Sequence, residues 1–453
     1  MEIISIEDTI VALATPLGTG AISVIRISGP EAISSVNQIF DGKKELINVA
    51  SHTIHYGNIV QDSNKHIDDV LVSVFRKPNS YTGEDAVEIS THGNPLIAQK
   101  IIDLLLSENI RIAEPGEFTK RAFLNNRLDL TQAEAVVDVI EARTEASLRG
   151  SRNQLDGLLS KKVNELREML VNASSFVELE LDFAEEDLEF IDKNELITKI
   201  DNIVFEIDES LSTYSFGRVM RDGVNVAIVG QPNVGKSSLL NYILKESRAI
   251  VSRMPGTTRD VIREEVSIEG ILYKLFDTAG IRISDDEIEK EGVLRSRDAV
   301  KSSDVILMIG DVEQSFSADL YEDLKKLIKQ ENIIKVLNKI DLVHKTKIDN
   351  DVEVSAKTGK GIENLFRLLK QKSLGNNSYS EQSAIVSNLR HYDCLKKAKE
   401  NLIIAKNSAK KNMSGEFIAV DLRNAERDLA EIVGKVTTDD ILNNVFSKFC
   451  IGK

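Results

Sequence analysis

Tryptophan is absent from the 453-residue chain, aromatic residues make up only 5% of it, and cysteine occurs twice, as Cys394 and Cys450. Two thiols so far apart supply neither a disulfide framework nor the paired ligands of a structural zinc site, so the fold must rest on ordinary hydrophobic cores. No apolar run comes near the ~18 residues that a membrane-spanning helix needs. An excess of positive charge is missing too: 57 Lys plus Arg stand against 72 Asp plus Glu, and the formal charge of -15 repels phosphate backbones over most of the surface. Any nucleic acid must meet a local basic patch or a partner's surface. The first eight residues carry Glu2, Glu7 and Asp8 where a secretory or organellar leader would need Lys or Arg, which predicts a cytoplasmic protein.

Proline is scarce as well, and its distribution divides the chain. Five of the seven prolines fall between Pro16 and Pro115, and the next is Pro232. The proline-bearing stretch has short β-branched runs, Ile22 to Ile27 and Val70 to Val74, and reads as an α/β domain over residues 1–118. From 119 to 215 the apolar residues recur at spacings of three and four: Ala133, Val136, Val137 and Ile140, then Leu155, Leu159, Val163, Leu166, Leu170, Ala173 and Val177. That periodicity predicts helices packed as a bundle. Over 216–379 buried strands alternate with helices, with strand candidates at Val224 to Val229, Tyr273 to Phe276, Asp304 to Ile309 and Ile333 to Leu337. The alternation predicts a doubly wound sheet. Helical spacing returns over 380–453, at Leu402, Ile403 and Ala405 and again at Leu422, Ala425, Leu429, Ile432 and Val433. The expected fold is therefore multidomain, α/β and all-α, with the doubly wound domain inserted between two halves of one helical domain.

The inserted domain carries the chemistry. Gly230-Gln231-Pro232-Asn233-Val234-Gly235-Lys236-Ser237 matches a phosphate-binding loop, placed after a hydrophobic strand and before the helix that opens with Ser238. Backbone N–H groups can curl around phosphates there, Lys236 neutralises them, and Ser237 offers an oxygen to Mg²⁺. Downstream, Pro255-Gly256-Thr257-Thr258-Arg259-Asp260 reads as a switch loop, with Thr258 placed to reach Mg²⁺ when a γ-phosphate is present, and Ser252, Arg253 and Met254 before it are further candidate GTP contacts. Asp277-Thr278-Ala279-Gly280 follows a strand, so Asp277 can hold the metal through water and the Gly280 amide can sense the γ-phosphate.

Base choice is read from Asn338-Lys339-Ile340-Asp341, followed by Ser355-Ala356-Lys357 as the loop over the base. Guanine presents N1–H and a 2-amino group side by side, and Asp341 can accept from both. Adenine would leave that carboxylate unpaired, a mismatch that discriminates by ~10⁴ to 10⁵ in sites of this kind. The pattern predicts a GTP site and a GTP hydrolase. Many small GTPases place glutamine after Asp-Thr-Ala-Gly to orient water, but here that position is Ile281, which can neither donate nor accept. A carboxylate of the acidic segment Ser284 to Glu289 is a candidate for that task.

Beyond these motifs the chain resembles the MnmE/TrmE family of tRNA-modification GTPases over essentially its whole length. The resemblance rests on Thr9-Ile10-Val11-Ala12, Arg26-Ile27-Ser28-Gly29, Tyr81-Thr82-Gly83-Glu84-Asp85 and Glu114-Pro115-Gly116-Glu117-Phe118-Thr119. Arg121-Ala122-Phe123-Leu124-Asn125 and Phe449-Cys450-Ile451-Gly452-Lys453 extend it. It implies an N-terminal domain, 1–118, that binds folate and dimerises, and a homodimer that works with a flavoprotein, MnmG, in a heterotetramer or larger complex. The implied reaction places an aminomethyl or carboxymethylaminomethyl group on C5 of the wobble uridine of certain tRNAs, with one carbon from a tetrahydrofolate in its 5-formyl or methylene form. The resemblance also implies folate contacts at Arg26, Glu88, Arg127 and Lys453, and K⁺ at Asn233 with backbone oxygens of Ser252, Met254 and Thr257. It assigns water positioning to Glu289. It offers Cys450 as a catalytic candidate, although a lone cysteine near a helical end is equally well read as packed. Arg127 departs from the lysine common at its position, which keeps the charge and changes the geometry. A ribosome-assembly switch is the rival reading; it would need an RNA module such as a KH fold with its Gly-x-x-Gly loop, and none follows residue 360. The basic stretch Lys396 to Lys411 reads as the exposed face of a helix before it reads as an RNA contact.

Overall fold

The computed structural model describes residues 8–61, 65–106, 110–182, 192–246, 263–277, 300–343, 347–374 and 384–453. The chain forms two compact units, one of residues 1–137 with 430–453 and one of residues 138–429.

In the first unit, seven strands form one sheet in the order β3-β4-β5-β6-β2-β1-β7: β1 (Ile10–Leu13), β2 (Ile22–Ser28), β3 (Phe40–Gly42), β4 (Thr53–Val60), β5 (His66–Phe75), β6 (Ala86–His92) and β7 (Arg111–Ile112). Both β-branched runs of the sequence lie in it, in β2 and β5. Pairing is antiparallel except between β1 and β7. Alternation decides which face is covered. Ile25 and Ile27 of β2, Val70, Val72 and Val74 of β5, and Val87 and Ile89 of β6 point to one side, under the helices Ala32–Ile39 and Pro95–Leu106. On the other side Ile10 and Ala12 meet Phe118, from the helix Glu117–Leu124. The last residues of the chain pack into this unit: Leu442, Val445 and Phe446 of the helix Asp439–Phe446, with Phe449, close a core with Leu130 and Ala133.

One polar cluster is buried in this unit. Arg121, 1% exposed, reaches Asp8, Glu84 and Glu117, and Arg111 pairs with Glu117 and Asp8. Burial alone would raise the carboxyls of Glu117 and Asp8, but the two guanidiniums outweigh it and hold both below the ordinary carboxylate range.

The second unit contains the doubly wound sheet, in the order β13-β12-β11-β8-β10-β9: β8 (Val224–Gly230), β9 (Arg263–Ile268), β10 (Ile271–Asp277), β11 (Val305–Asp311), β12 (Ile333–Asn338) and β13 (Val352–Glu353). All neighbours are parallel except β9 and β10. A parallel strand covered on both faces is apolar along most of its length, and β11 is buried throughout, apolar until Asp311 closes it. Val226 and Ile228 of β8 face the helices Lys236–Glu246 and Ile362–Leu374. Ala227 and Val229 face the helix Ala318–Leu327. All four predicted strands are present. The two that periodicity did not mark are β9, an edge strand carrying Glu264 and Glu265, and β13, which has only two residues.

Helices make up the rest of this unit. The stripe predicted from Leu159 to Val177 is buried along the helix Leu158–Asp182. A left-handed Gly157, φ +87°, separates it from the helix Glu145–Leu155, whose first turn is capped by the Thr144 hydroxyl accepting from Ser147 N. Such a cap contributes about 1 kcal/mol. On the helix Leu389–Lys410, Lys399 pairs with Asp208 at 2.6 Å and Lys406 with Asp201, both on the helix Lys193–Ser212. Part of the basic stretch is thereby neutralised within the fold.

Candidate functional site

Parallel strands bring their carboxyl ends to one edge, where open α/β sheets bind ligands. The strand register sets Asp277 opposite Ile228, Ile309 opposite Gly230, and Asp311 opposite Asn338. The phosphate-binding loop, the end of β10 and the Asn338 motif therefore share an edge, as their order in the sequence predicts.

The loop leaves β8 at Gly230 and enters the helix at Lys236. Val234 is fully buried and pins it to the core, while Asn233 (φ +65°) and Gly235 (φ +92°) take left-handed backbone. Gly235 is required for a second reason: a Cβ there would lie 2.3 Å from Asn338 Nδ2. Lys236 arches back, and its ammonium donates to the carbonyls of Gly230 at 3.0 Å and Gln231 at 2.9 Å. The charge is thus held over the loop, where phosphate oxygens would approach. Ser237 and Ser238 open the helix with exposed side chains.

Asn338, 2% exposed, joins two loops: Nδ2 donates to Val234 O at 3.0 Å and Oδ1 accepts from Ala356 N at 3.0 Å. Lys339 follows with φ +62°. Asp341 accepts from the buried Ser355 hydroxyl at 2.7 Å and stays open to solvent. That hydroxyl, with the positive charge of Lys357 contributing, holds the Asp341 carboxyl below its usual range, so it is an acceptor at neutral pH. A fixed, ionised, accessible carboxylate is what recognition of two adjacent guanine donors requires.

Of the remaining sequence-predicted residues, Asp277 closes β10 and is placed by its backbone. Ser252, Arg253, Met254, Pro255, Gly256, Thr257, Thr258, Thr278, Ala279, Gly280, Ile281 and Glu289 lie outside the described residues. Asp311 was not anticipated. It ends β11 fully buried and meets Lys339 Nζ at 2.5 Å, and its signal in the sequence is a charge closing an otherwise apolar run.

The first unit brings together the candidates for an anionic, ring-bearing ligand. Arg26 on β2 and Glu88 on β6 are register partners, and Arg26 Nε donates to Glu88 Oε1 at 2.9 Å. The Arg26 guanidinium lies 5.4 Å from the Tyr81 ring centroid and 5.7 Å from that of Phe118, and Nη1 donates to Gly452 O at 3.3 Å, beside Lys453. Tyr81 also lines a cavity of about 400 Å³ with Arg127, His52, Phe75 and Asn79. Cys450 is exposed, and its carbonyl accepts from Gly116 N at 3.4 Å.

The MnmE helical domain model matches residues 130–450, and the model of the GTP-binding protein TrmE N-terminus matches residues 9–127. The tRNA modification GTPase MnmE of Carboxydothermus hydrogenoformans is 44% identical over 460 residues, covering 99% of this chain and 100% of that protein. The one from Clostridioides difficile is 43% identical over 459 residues, with 99% and 100% covered. Among solved structures, a point variant of Aquifex aeolicus Era bound to GDP.AlF4- aligns at 27% identity over 40% of this chain and 66% of that one, with a TM-score of 0.27. With two family models spanning nearly all of the sequence and relatives above 40% identity end to end, the chain belongs to the MnmE family of tRNA modification GTPases.

Proposed function

We propose that this protein is a potassium-dependent GTP hydrolase. In this reading it acts with the flavoprotein MnmG on C5 of the wobble uridine of certain tRNAs, adding an aminomethyl or carboxymethylaminomethyl group that draws one carbon from a tetrahydrofolate. The observation that carries the nucleotide part is the single edge on which Lys236, Asn338 and Asp341 are each held by their own partners. The loop amides and Lys236 neutralise the phosphates, and Asp341 selects guanine. Ser237, with Thr258, is the pair that would hold Mg²⁺; the exposed hydroxyl at the first helical turn suits a hard cation. K⁺ would sit at Asn233 and backbone oxygens of Ser252, Met254 and Thr257, and these ions would supply the positive charge that the transferring phosphoryl group needs. Glu289 takes the place of the missing glutamine in orienting water.

The tetrahydrofolate, in 5-formyl or methylene form, belongs in this reading to Arg26, Glu88, Arg127 and Lys453. Cations suit its glutamate carboxylates, a carboxylate suits the donor edge of a pterin, and the partly exposed Tyr81 supplies a face for a flat ring. We assign residues 1–118 to folate binding and dimerisation, 119–215 and 380–453 to the helical domain, and 216–379 to GTP hydrolysis. The working form is a cytoplasmic homodimer that joins MnmG in a heterotetramer or larger complex and receives tRNA. The test is mass spectrometry of wobble nucleosides from cells lacking the protein. Loss of the aminomethyl-type uridines supports the proposal; an unchanged nucleoside profile with defective ribosomal subunits would replace it by the ribosome-assembly reading.

A further inference from the structure

Asp311 has no part in the nucleotide reading above, yet it lies at that edge with no exposed surface. Its two oxygens do different work. Oδ1 accepts the backbone N–H groups of Glu313 at 3.0 Å and Gln314 at 2.7 Å, which shapes the turn that leaves β11. Among the described residues Oδ2 accepts from the Lys339 ammonium alone, at 2.5 Å. The turn needs a single oxygen, and an amide oxygen would serve it as well as a carboxylate. The negative charge is required only by Lys339. Burial by itself would push the Asp311 carboxyl up, but Lys339 and the two turn amides outweigh it, so the buried group stays ionised.

Lys339 stands between the residue that ties the phosphate-binding loop, Asn338, and the residue that reads the base, Asp341. Its backbone is left-handed at φ +62°, a conformation that a residue with a long side chain holds only when its surroundings enforce it. Asn338 is fixed by Val234 and Ala356 on one side, and Asp341 by Ser355 on the other. Oδ2 of Asp311 supplies the third tether. We propose that Asp311 is a positioning residue for guanine-nucleotide binding, acting through its Oδ2 on Lys339 and so on the loop that carries Asp341.

This inference rests on the guanine-site reading. The test is a double-mutant cycle on the full chain, with the dissociation constant of a fluorescent GDP analogue read for wild type, Asp311→Asn, Lys339→Ala and the double variant. Asp311→Asn keeps Oδ1 for the turn and replaces the charged Oδ2 acceptor by a neutral N–H donor that cannot pair with the Lys339 ammonium. It should weaken binding about tenfold, the scale set by losing one charge-assisted hydrogen bond, without altering the melting temperature of the nucleotide-free protein by more than about 2 °C. In the Lys339→Ala background the same substitution should add less than about twofold. Should Lys339→Ala fail to fold, Lys339→Met, which keeps the stem, takes its place in the cycle. Unchanged binding in Asp311→Asn, or an equal loss with and without Lys339, would overturn the inference while leaving the guanine site standing. A wild type that does not bind the analogue would overturn both.

Discussion

The side-chain amide of Asn338 donates to the main-chain carbonyl of Val234 at 3.0 Å, tying the base-reading loop to the phosphate-binding loop 104 residues earlier. Because Asn338 is buried, removing its amide leaves Val234 O and Ala356 N without that partner, a loss of about 1–3 kcal/mol for each unsatisfied group. Asn338→Ala should therefore lower unfolding free energy by a few kcal/mol and weaken GDP and GTP alike. Gly235→Ala should act at the same contact, since its Cβ would meet Nδ2 at 2.3 Å and its φ of +92° disfavours any side chain. Denaturant unfolding and nucleotide titration of both variants check this; full nucleotide affinity in Gly235→Ala would show that the two loops are not in contact.

A second expectation concerns acid. The carboxyls of Asp8 and Glu117 titrate below their ordinary values of 3.8 and 4.5 when folded, because Arg111 and Arg121 outweigh the effect of burial. A depressed folded pKa gives stability that is fully present above the unfolded value and is lost as pH falls through the folded one. Melting temperature should therefore hold steady from neutral pH to about 5 and fall steeply below about 4. Glu117→Ala, which removes one of the three carboxylates on buried Arg121 and the two-oxygen partner of Arg111, should cost ~3–5 kcal/mol at neutral pH and make that acid limb shallower. An acid limb of the same steepness in the variant would place the titrating groups elsewhere.

Much of this was legible in the sequence, for identifiable reasons. Buried parallel strands such as β11 are apolar up to the charge that closes them, and the phosphate-binding loop needs glycine at 235, where the backbone is left-handed and a Cβ would meet Asn338, so pattern and structure coincide there. β9 escaped because an edge strand can carry Glu264 and Glu265, with Glu265 paired to Arg143 at 2.5 Å, and so shows no apolar signature. Asp311 escaped because its role exists only once β11 and β12 are side by side, with Asp311 opposite Asn338. The Tyr81 and Phe118 motifs were visible as strings, but their common relation to Arg26 is a property of the folded sheet and the helix that crosses it.

The folate assignment predicts separable sites. Arg26→Ala removes the cation beside Tyr81 and the partner of Glu88, and deletion of Lys453 removes the charged residue that follows Gly452, whose carbonyl accepts from Arg26. Each should weaken binding of a reduced folate about tenfold or more in calorimetry while leaving GDP affinity within about twofold, because the nucleotide residues belong to a different compact unit. Equal loss of both ligands would indicate unfolding, and intact folate binding in both variants would move the site.

For hydrolysis the expectation is dependence on K⁺ and on Glu289. Ile281 cannot orient water, and Asn233 offers a side-chain oxygen beside the phosphate-binding loop. GTP turnover should be faster in KCl than in NaCl at equal ionic strength. Glu289→Ala should lower turnover with GTP affinity nearly intact, the behaviour of a group that acts only in the transition state. Equal rates in both salts, with loss confined to Arg253→Ala or Arg259→Ala, would put an arginine in place of the ion.

Guanine recognition by Asp341 is the claim on which the rest depends, and exchanging that carboxylate for an amide tests it most directly. Ser355 holds the carboxylate in place and it stays accessible, so Asp341→Asn should keep the geometry while turning one acceptor into a donor. Dissociation constants for GDP and xanthosine diphosphate are to be measured on wild type and variant. The wild type should prefer GDP, and Asp341→Asn should lose GDP affinity by several orders of magnitude, about the discrimination of a site left with unpaired polar groups, while gaining the xanthine nucleotide. Unchanged GDP affinity in the variant with no gain for xanthosine diphosphate would contradict guanine recognition by Asp341.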